Sequence, residues 1–152
     1  MAKDNMAKEI ERKFLVTGNS YRAMSCRERR IVQGYLSRDP RATVRVRIAD
    51  GQAWLTVKGL NDGAVRDEWE YEIPVSDARD MLGRCATGRV IEKTRYIVNY
   101  DGRRWEVDEF GGELSGLTVA EIELNSADEQ PELPPFVGDE VTGDPRYYNS
   151  AL

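Results

Sequence analysis

Histidine is absent from the 152 residues, and with it goes imidazole, both as a metal ligand and as a general base. Cysteine occurs only at Cys26 and Cys85, a spacing that fits neither a zinc site nor a disulfide scaffold and that suits a reducing cytoplasm. No run approaches the roughly 18 apolar residues that span a bilayer, and the first residues lack the apolar core of a signal peptide. A cytoplasmic location with no membrane contact is expected. An excess of basic residues is also missing: the net charge is -5, which argues against general attraction to long nucleic acid or to an anionic membrane. Any anionic ligand must therefore meet a local basic cluster or a metal ion.

What is present is charge laid over a folding sequence. Charged residues make up 32% of the chain, yet 40% is hydrophobic, which is too much for a disordered chain. The length suits one domain over 1-152 with a real core. Met1-Ala-Lys recurs as Met6-Ala-Lys, as a second start would.

Strand-like windows dominate, and in each the charges alternate with apolar residues. Lys8-Glu-Ile-Glu-Arg-Lys-Phe-Leu-Val16 places Glu9, Glu11 and Lys13 on one face, and Thr43-Val-Arg-Val-Arg-Ile48 does the same with Arg45 and Arg47. Trp54 to Lys58, Glu68 to Ile73, Lys93 to Val98, Arg104 to Asp108 and Val119 to Leu124 repeat the pattern. Asp50-Gly51 and Asp101-Gly102 separate consecutive windows as hairpin turns, so meandering antiparallel strands are expected. Helical spacing appears over Ser76 to Ala86 with Ser76 as N-cap, a short helix is expected from Ser20 to Ser25, and a single turn from Ser126 to Glu129. Pro131 to Pro135 reads as a loop.

Half-exposed strands in a sandwich satisfy each alternation taken singly. They do not account for segregation by sign. Glu9/Glu11, Glu68/Glu70 and Glu121/Glu123 are acidic pairs two apart, whereas Arg45/Arg47 and Lys93/Arg95 are basic pairs at the same spacing. If the sheet curls with this face inward, acidic walls meet basic walls across a lumen whose desolvation is costly unless a charged ligand compensates both signs. Carboxylates without imidazole or thiolate suit a hard cation such as Mg²⁺ or Mn²⁺, and arginines and lysines suit phosphate oxygens. Together they point to a polyphosphate ligand and displacement at phosphorus.

Glu9-x-Glu11-x-Lys13, followed in order by Arg45-x-Arg47, Lys58-Gly59, Glu68-x-Glu70, Lys93-x-Arg95, Trp105-x-x-Asp108 and Glu121-x-Glu123, resembles the triphosphate tunnel metalloenzymes, the CYTH superfamily. The resemblance runs from about residue 8 to Glu140-Val-Thr-Gly-Asp-Pro-Arg-Tyr147, which looks like the ending of short bacterial members. It implies a mainly β (α+β) fold: an antiparallel eight-stranded barrel, open at one end or both, with a few short flanking helices. It further implies Mg²⁺ or Mn²⁺ as cofactor, with Glu9, Glu11, Asp108, Glu121 and Glu123 as ligands to the metal or its water. Glu68 and Glu70 would support them, while Lys13, Arg45, Arg47, Lys58, Lys93 and Arg95 would grip a triphosphate. Lys13, Glu9, Glu11 and Asp108 form the expected catalytic set.

The leading expectation is release of a terminal phosphate from inorganic tripolyphosphate. Class IV-type adenylate cyclase, thiamine triphosphatase, nucleoside or RNA triphosphatase, and a non-catalytic polyphosphate-binding module are the alternatives. Turned-in charges leave apolar outer faces, among them Ile10, Phe14, Val44, Val46, Trp69, Tyr71, Ile122 and Leu124, for which one clear helix and two short ones are little cover, and a homodimer packed through these faces is expected.

Overall fold

The computed structural model describes residues 8–152; the repeated Met-Ala-Lys lies outside them except for Lys8. Nine strands run β1 (Lys8–Val16), β2 (Arg27–Ser37), β3 (Thr43–Ala49), β4 (Gln52–Lys58), β5 (Val65–Ile73), β6 (Thr87–Tyr100), β7 (Arg103–Phe110), β8 (Thr118–Glu123) and β9 (Val137–Glu140), with helices α1 (Ser20–Met24) and α2 (Val75–Arg84). Neighbours in space follow β5-β4-β3-β2-β6-β7-β8-β1-β9, and pairing of β1 with β5 closes β1 to β8 into an antiparallel barrel. The first half of β1 pairs with β5, from Lys8 opposite Asp67 to Ile10 opposite Val65, and β9 takes up the same edge further along, at Phe14 and Val16.

The hairpins form where expected. Asp50 and Gly51 have φ of 53° and 76°, and Asp101 and Gly102 of 51° and 72°, the left-handed pair that matches the twist of two adjoining strands. β2 is a strand that alternation does not reveal, because Arg27, Glu28, Arg29 and Arg30 charge both of its faces. It is held by pairing with both β3 and β6, and by Arg27 and Arg29 contacting Asp50 at 2.9 and 2.7 Å. Helix α2 starts at Val75 after Pro74, whose extended backbone ends β5, so Ser76 lies inside the helix and caps nothing. Ser126 to Glu129 makes one turn, closed by Glu129 N–H donating to the Ser126 carbonyl at 3.2 Å.

The main hydrophobic core lies outside the barrel wall. Phe14, Trp105, Val107, Ala120 and Ile122 on the outer faces of β1, β7 and β8, with Leu124 just after β8, pack with Tyr21 of α1 and with Phe136 from the segment before β9. Trp105 and Phe136 are both 0% exposed, and burying aromatic surface of this size contributes about 25 cal/mol per Å² removed from water. A second cluster sits under α2, where Ala78, Met81 and Leu82 cover Val46, Ile48, Ala53 and Leu55. Gly34 of β2 allows that approach, since a Cβ there would stand 2.8 Å from Leu82 Cδ2. The chain thus covers most of its own outer surface. Trp69 and Tyr71 on β5 remain exposed, at 43% and 62%.

Candidate active site

The strand order arranges the lumen by sign. The acidic strands β8, β1 and β5 are neighbours, and so are β3, β2 and β6, which carry Arg45, Arg47, Lys93 and Arg95. β4 and β7 stand at the two boundaries. Register makes each sector dense: Glu11 lies opposite Glu123 and Lys13 opposite Glu121 across β1 and β8.

Ion pairs concentrate at the boundaries. On β4, Lys58 Nζ lies 2.7 Å from Glu9 Oε1 and 3.9 Å from Glu68 Oε2. Arg45 donates to Thr56 Oγ1 at 3.2 Å, and that hydroxyl donates to Glu70 Oε2 at 2.8 Å. On β7, Asp108 accepts from Lys93 Nζ at 2.6 Å and from Arg95 Nε and Nη2 at 2.7 and 2.9 Å, and Glu106 takes Arg95 Nη1 at 3.2 Å.

The centres of the sectors are different. Among the described residues Glu11 has no side-chain hydrogen bond or ion pair, and Arg47 donates only to the neutral Gln33 Oε1, at 2.9 Å. Burial, then the neighbouring Glu121 and Glu9, raise the Glu11 carboxyl well above the ordinary range. Burial, then Arg45 and Arg95, lower Arg47 to about 9, a sign of strain on a cation that stays charged. Burial alone would raise Glu121, but Lys13, Arg95 and Lys93 outweigh it and Glu121 falls to about 2. For Asp108 the attraction of Arg95 and Lys93 likewise overcomes burial and holds it far below the carboxylate range.

Both orphan charges face one cavity of about 540 Å³, which is lined also by Glu9, Arg45, Lys58, Glu68, Glu70, Arg95, Glu121 and Glu123. Ten of the thirteen expected site residues therefore share one space. The other three are Lys13, which lines a smaller adjoining cavity of about 50 Å³, and Lys93 and Asp108, which are 2% and 1% exposed and line neither. Both Asp108 oxygens are occupied by Lys93 and Arg95 in this structure, whereas Glu9, Glu11, Glu121 and Glu123 present their carboxylates to the cavity.

Beyond the charges, Leu15, Ile91, Phe110 and Val119 fill the lumen with apolar side chains, joined by Leu114, Leu117 and Leu152. From the C-terminal segment, Tyr148, Asn149 and Ser150 line the smaller cavity, and Asn149 lines the main one as well. Tyr147 carbonyl accepts from Lys13 Nζ at 2.8 Å, Tyr148 hydroxyl accepts from Asn61 Nδ2 at 2.8 Å, and Ser150 carbonyl accepts from Arg38. The C-terminal segment, Gln33 and Thr56 are the parts of the site that charge patterning passes over, because they act through neutral side chains and main-chain oxygens. The alternation of Trp54 to Lys58 already places Thr56 beside Lys58, and the tail's Tyr147 and Tyr148 are the aromatic side chains that the sequence offers for lining or closing the mouth.

The all-oxygen donor set of Glu9, Glu11, Glu121 and Glu123 fits a hard divalent cation. The mutual repulsion at Glu11 is what such a cation relieves. Among the described residues no three acidic side chains yet converge as a ready cation site, because Lys58 engages Glu9 and Lys13 engages Glu121, at 2.7 and 3.3 Å. No helix of the described residues is long and apolar enough to cross a membrane.

The CYTH domain pattern matches residues 7–148, nearly the whole chain. The protein belongs to the CYTH family. An inorganic triphosphatase of Acetivibrio thermocellus is 47% identical over 147 residues, covering 97% of this chain and 94% of that one. An inorganic triphosphatase of Nitrosomonas europaea is 38% identical over 151 residues, covering 95% of each. The crystal structure of an inorganic triphosphatase, 36% identical, superposes with a TM-score of 0.64 over 94% of this chain and 95% of that one. CYTH triphosphatases as a group depend on divalent metal ions.

Proposed function

We propose that this CYTH protein is a divalent-metal-dependent inorganic triphosphatase that converts linear tripolyphosphate and water into pyrophosphate and orthophosphate. The observation that carries the reading is that Glu11 and Arg47, neither of which makes an ion pair among the described residues, face one cavity of about 540 Å³. A ligand that brings both a cation and a chain of anions satisfies both. The activity named for the relatives at 47% and 38% identity supports the same reading.

Glu9, Glu11, Glu121 and Glu123 would hold Mg²⁺ or Mn²⁺. When bound, the ion supplies neutralisation of the charge on the phosphate oxygens. The protein's own part is positioning. Arg45, Arg47 and Arg95 line the cavity and offer planar forks to successive phosphates, Lys58 adds a point charge from β4, and Lys13 adds one from the smaller adjoining cavity. Lys93 lies behind Arg95, and Asp108 aims both cations by accepting from each, so we assign Asp108 a positioning role instead of a place among the ligands. Glu68 and Glu70 hold Lys58 and Arg45 in place. A carboxylate of the acidic sector orients the attacking water in line with the terminal P–O bond, and the leaving pyrophosphate departs with its charge held by the arginines. No protein nucleophile is required.

We also assign the protein to the cytoplasm, given its two free cysteines. The homodimer expected from the sequence is retained on a narrower patch, centred on Trp69 and Tyr71, because Phe14, Val46, Ile122 and Leu124 are covered within the chain. Light scattering showing only a monomer at micromolar concentration would overturn it. The activity is tested by phosphate release from tripolyphosphate with Mg²⁺ or Mn²⁺, with ATP, thiamine triphosphate and pyrophosphate beside it. Release from tripolyphosphate is expected, lost in a Glu9→Ala, Glu11→Ala double variant. Equal signal from that variant, or cyclic AMP formed from ATP with no orthophosphate from tripolyphosphate, would sink the reading.

A further inference from the structure

A cation outside the expected site also faces the barrel interior. Arg66 of β5 stands directly opposite Glu9 of β1 in the antiparallel register, so the two side chains share the inward face. Strand alternation puts it two residues before Glu68 on that same face, with the opposite sign. Its guanidinium donates to neutral oxygens, through Nε to the Gly59 carbonyl at 2.9 Å and through Nη2 to Thr43 Oγ1 at 3.4 Å, and sits over the Tyr148 ring at 5.9 Å. Among the described residues Lys13 pairs with Glu121 at 3.3 Å and Lys58 with Glu9 at 2.7 Å, whereas Arg66 makes no ion pair.

Arg66 lines the smaller cavity together with Lys13, Lys58, Glu9 and Glu11, and the last three line the main cavity as well. The two cavities therefore meet at the proposed ligands of the divalent ion. Their walls differ in kind. The main cavity is lined by charged side chains and two asparagines, whereas the smaller one adds Thr43, Asn61, Thr142 and Tyr148, neutral groups able to donate to an anion's oxygens. Its volume of about 50 Å³ admits about four waters at about 10–15 Å³ apiece, which matches the oxygen count of a single phosphate group.

We propose that the smaller cavity is a phosphate subsite with Arg66 as its substrate-contacting cation: it takes the terminal phosphoryl group of the chain and holds it as orthophosphate after cleavage. A guanidinium bonded only to neutral oxygens keeps N–H groups and its full charge for an anion. In the cleavage the attacking water supplies the new P–O bond, the bridging oxygen leaves on pyrophosphate with the bonding pair, and the released proton passes to solvent. Pyrophosphate then lies with Arg45, Arg47 and Arg95 in the main cavity and orthophosphate with Arg66, on either side of Glu9 and Glu11. The subsite's place in the reaction rests on the triphosphatase reading above.

The test uses the full chain with Arg66→Ala, Arg66→Lys and Arg47→Ala. Added orthophosphate should raise the Tm of the parent and of Arg47→Ala, because a ligand that binds the folded state stabilises it, and the rise should vanish in Arg66→Ala. With tripolyphosphate and Mg²⁺, KM should increase about tenfold in Arg66→Ala, the loss of one hydrogen bond between charged groups, and inhibition by orthophosphate should weaken by a similar factor. Arg66→Lys, which restores the charge without the fork, should recover part of each. An arginine that serves only to hold Gly59 and Thr43 would lower the free Tm in Arg66→Ala and leave the orthophosphate-induced rise in place, and that result overturns the proposal. So does a rise that disappears in Arg47→Ala and survives in Arg66→Ala, which puts the phosphate in the main cavity, and so does a parent whose Tm orthophosphate does not change. If the parent binds orthophosphate through Arg66 yet releases none from tripolyphosphate, the subsite stands and the triphosphatase reading has failed.

Discussion

The middle of each charged sector and its edges obey opposite rules. At the edges, on β4 and β7, nearly every charge has a partner, and the network around Asp108 is so complete that its carboxylate serves three hydrogen bonds. In the middle, Glu11 and Arg47 stand without one. Edge pairs make the barrel stable with its charges inside; the unpaired centres reserve binding energy for a ligand. A buried ion pair contributes little net stability but is costly to break, whereas a buried group without an ion partner is unfavourable as an ion, so Glu11 holds its proton and Arg47 is strained until a ligand arrives.

The comparison can be broken from either side. The largest effect is expected at an edge: Asp108→Ala strands the Lys93 and Arg95 cations in the interior and should cost on the order of 3–5 kcal/mol, read as a lower denaturation midpoint at constant m-value. A stable Asp108→Ala variant would show that the edges are not structural. At a centre the outcome reverses. Glu11→Gln should reduce tripolyphosphate turnover by about 10²–10³ while leaving Tm nearly unchanged, since it replaces a carboxyl that the metal-free fold holds protonated. Arg47→Ala should lower kcat/KM by about 10² without loss of Tm, because Arg45 and Arg95 are relieved of a like charge.

The same contrast has a pH signature. The folded chain keeps a proton on Glu11 that the unfolded chain releases at ordinary carboxylate pH, so the folded state binds more protons. Stability of the metal-free protein from this group therefore falls as pH rises above that range. Glu121, lowered to about 2, does the opposite and loses its contribution only as pH falls. Melting curves over roughly pH 5 to 8 should slope less steeply downward for Glu11→Gln than for the parent; parallel curves would contradict the assignment. The smallest effect is expected at Thr56, which links Arg45 to Glu70. Thr56→Val should cost about 1 kcal/mol and shift KM by less than about threefold.

Much of the barrel and its lining is legible in the amino-acid sequence, for a definite reason. A strand repeats every two residues, so Glu9/Glu11, Arg45/Arg47, Lys93/Arg95 and Glu121/Glu123 announce a common face, and their separation by sign implies that the face is turned inward. The contiguity of the sectors is not legible, because it depends on strand order, and β2, which joins β3 to β6, hides its alternation under a run of mixed charge. Gln33 and Asn149 are illegible for another reason: neither carries charge, and each matters only through what surrounds it. The role of Asp108 turns on three hydrogen bonds that cross from β6 to β7, which spacing along one strand cannot convey. Alternation also overstates the need for an outer partner, since α1, α2 and the segment through Phe136 supply most of the cover that a count of short helices leaves wanting.

Because the hydrophobic core lies outside the wall and the chemistry inside it, each strand carries two interleaved messages. In β1, Ile10 and Phe14 build the core while Glu9, Glu11 and Lys13 furnish the lumen. Away from the ion-paired edges, substitutions at one set leave the other intact, so the centre of the lumen can drift without unmaking the fold. Reading frame along the strand is the vulnerability. One residue inserted between Lys8 and Phe14 would exchange the two sets and lose folding and function together, in a stretch where single substitutions disturb only one of them.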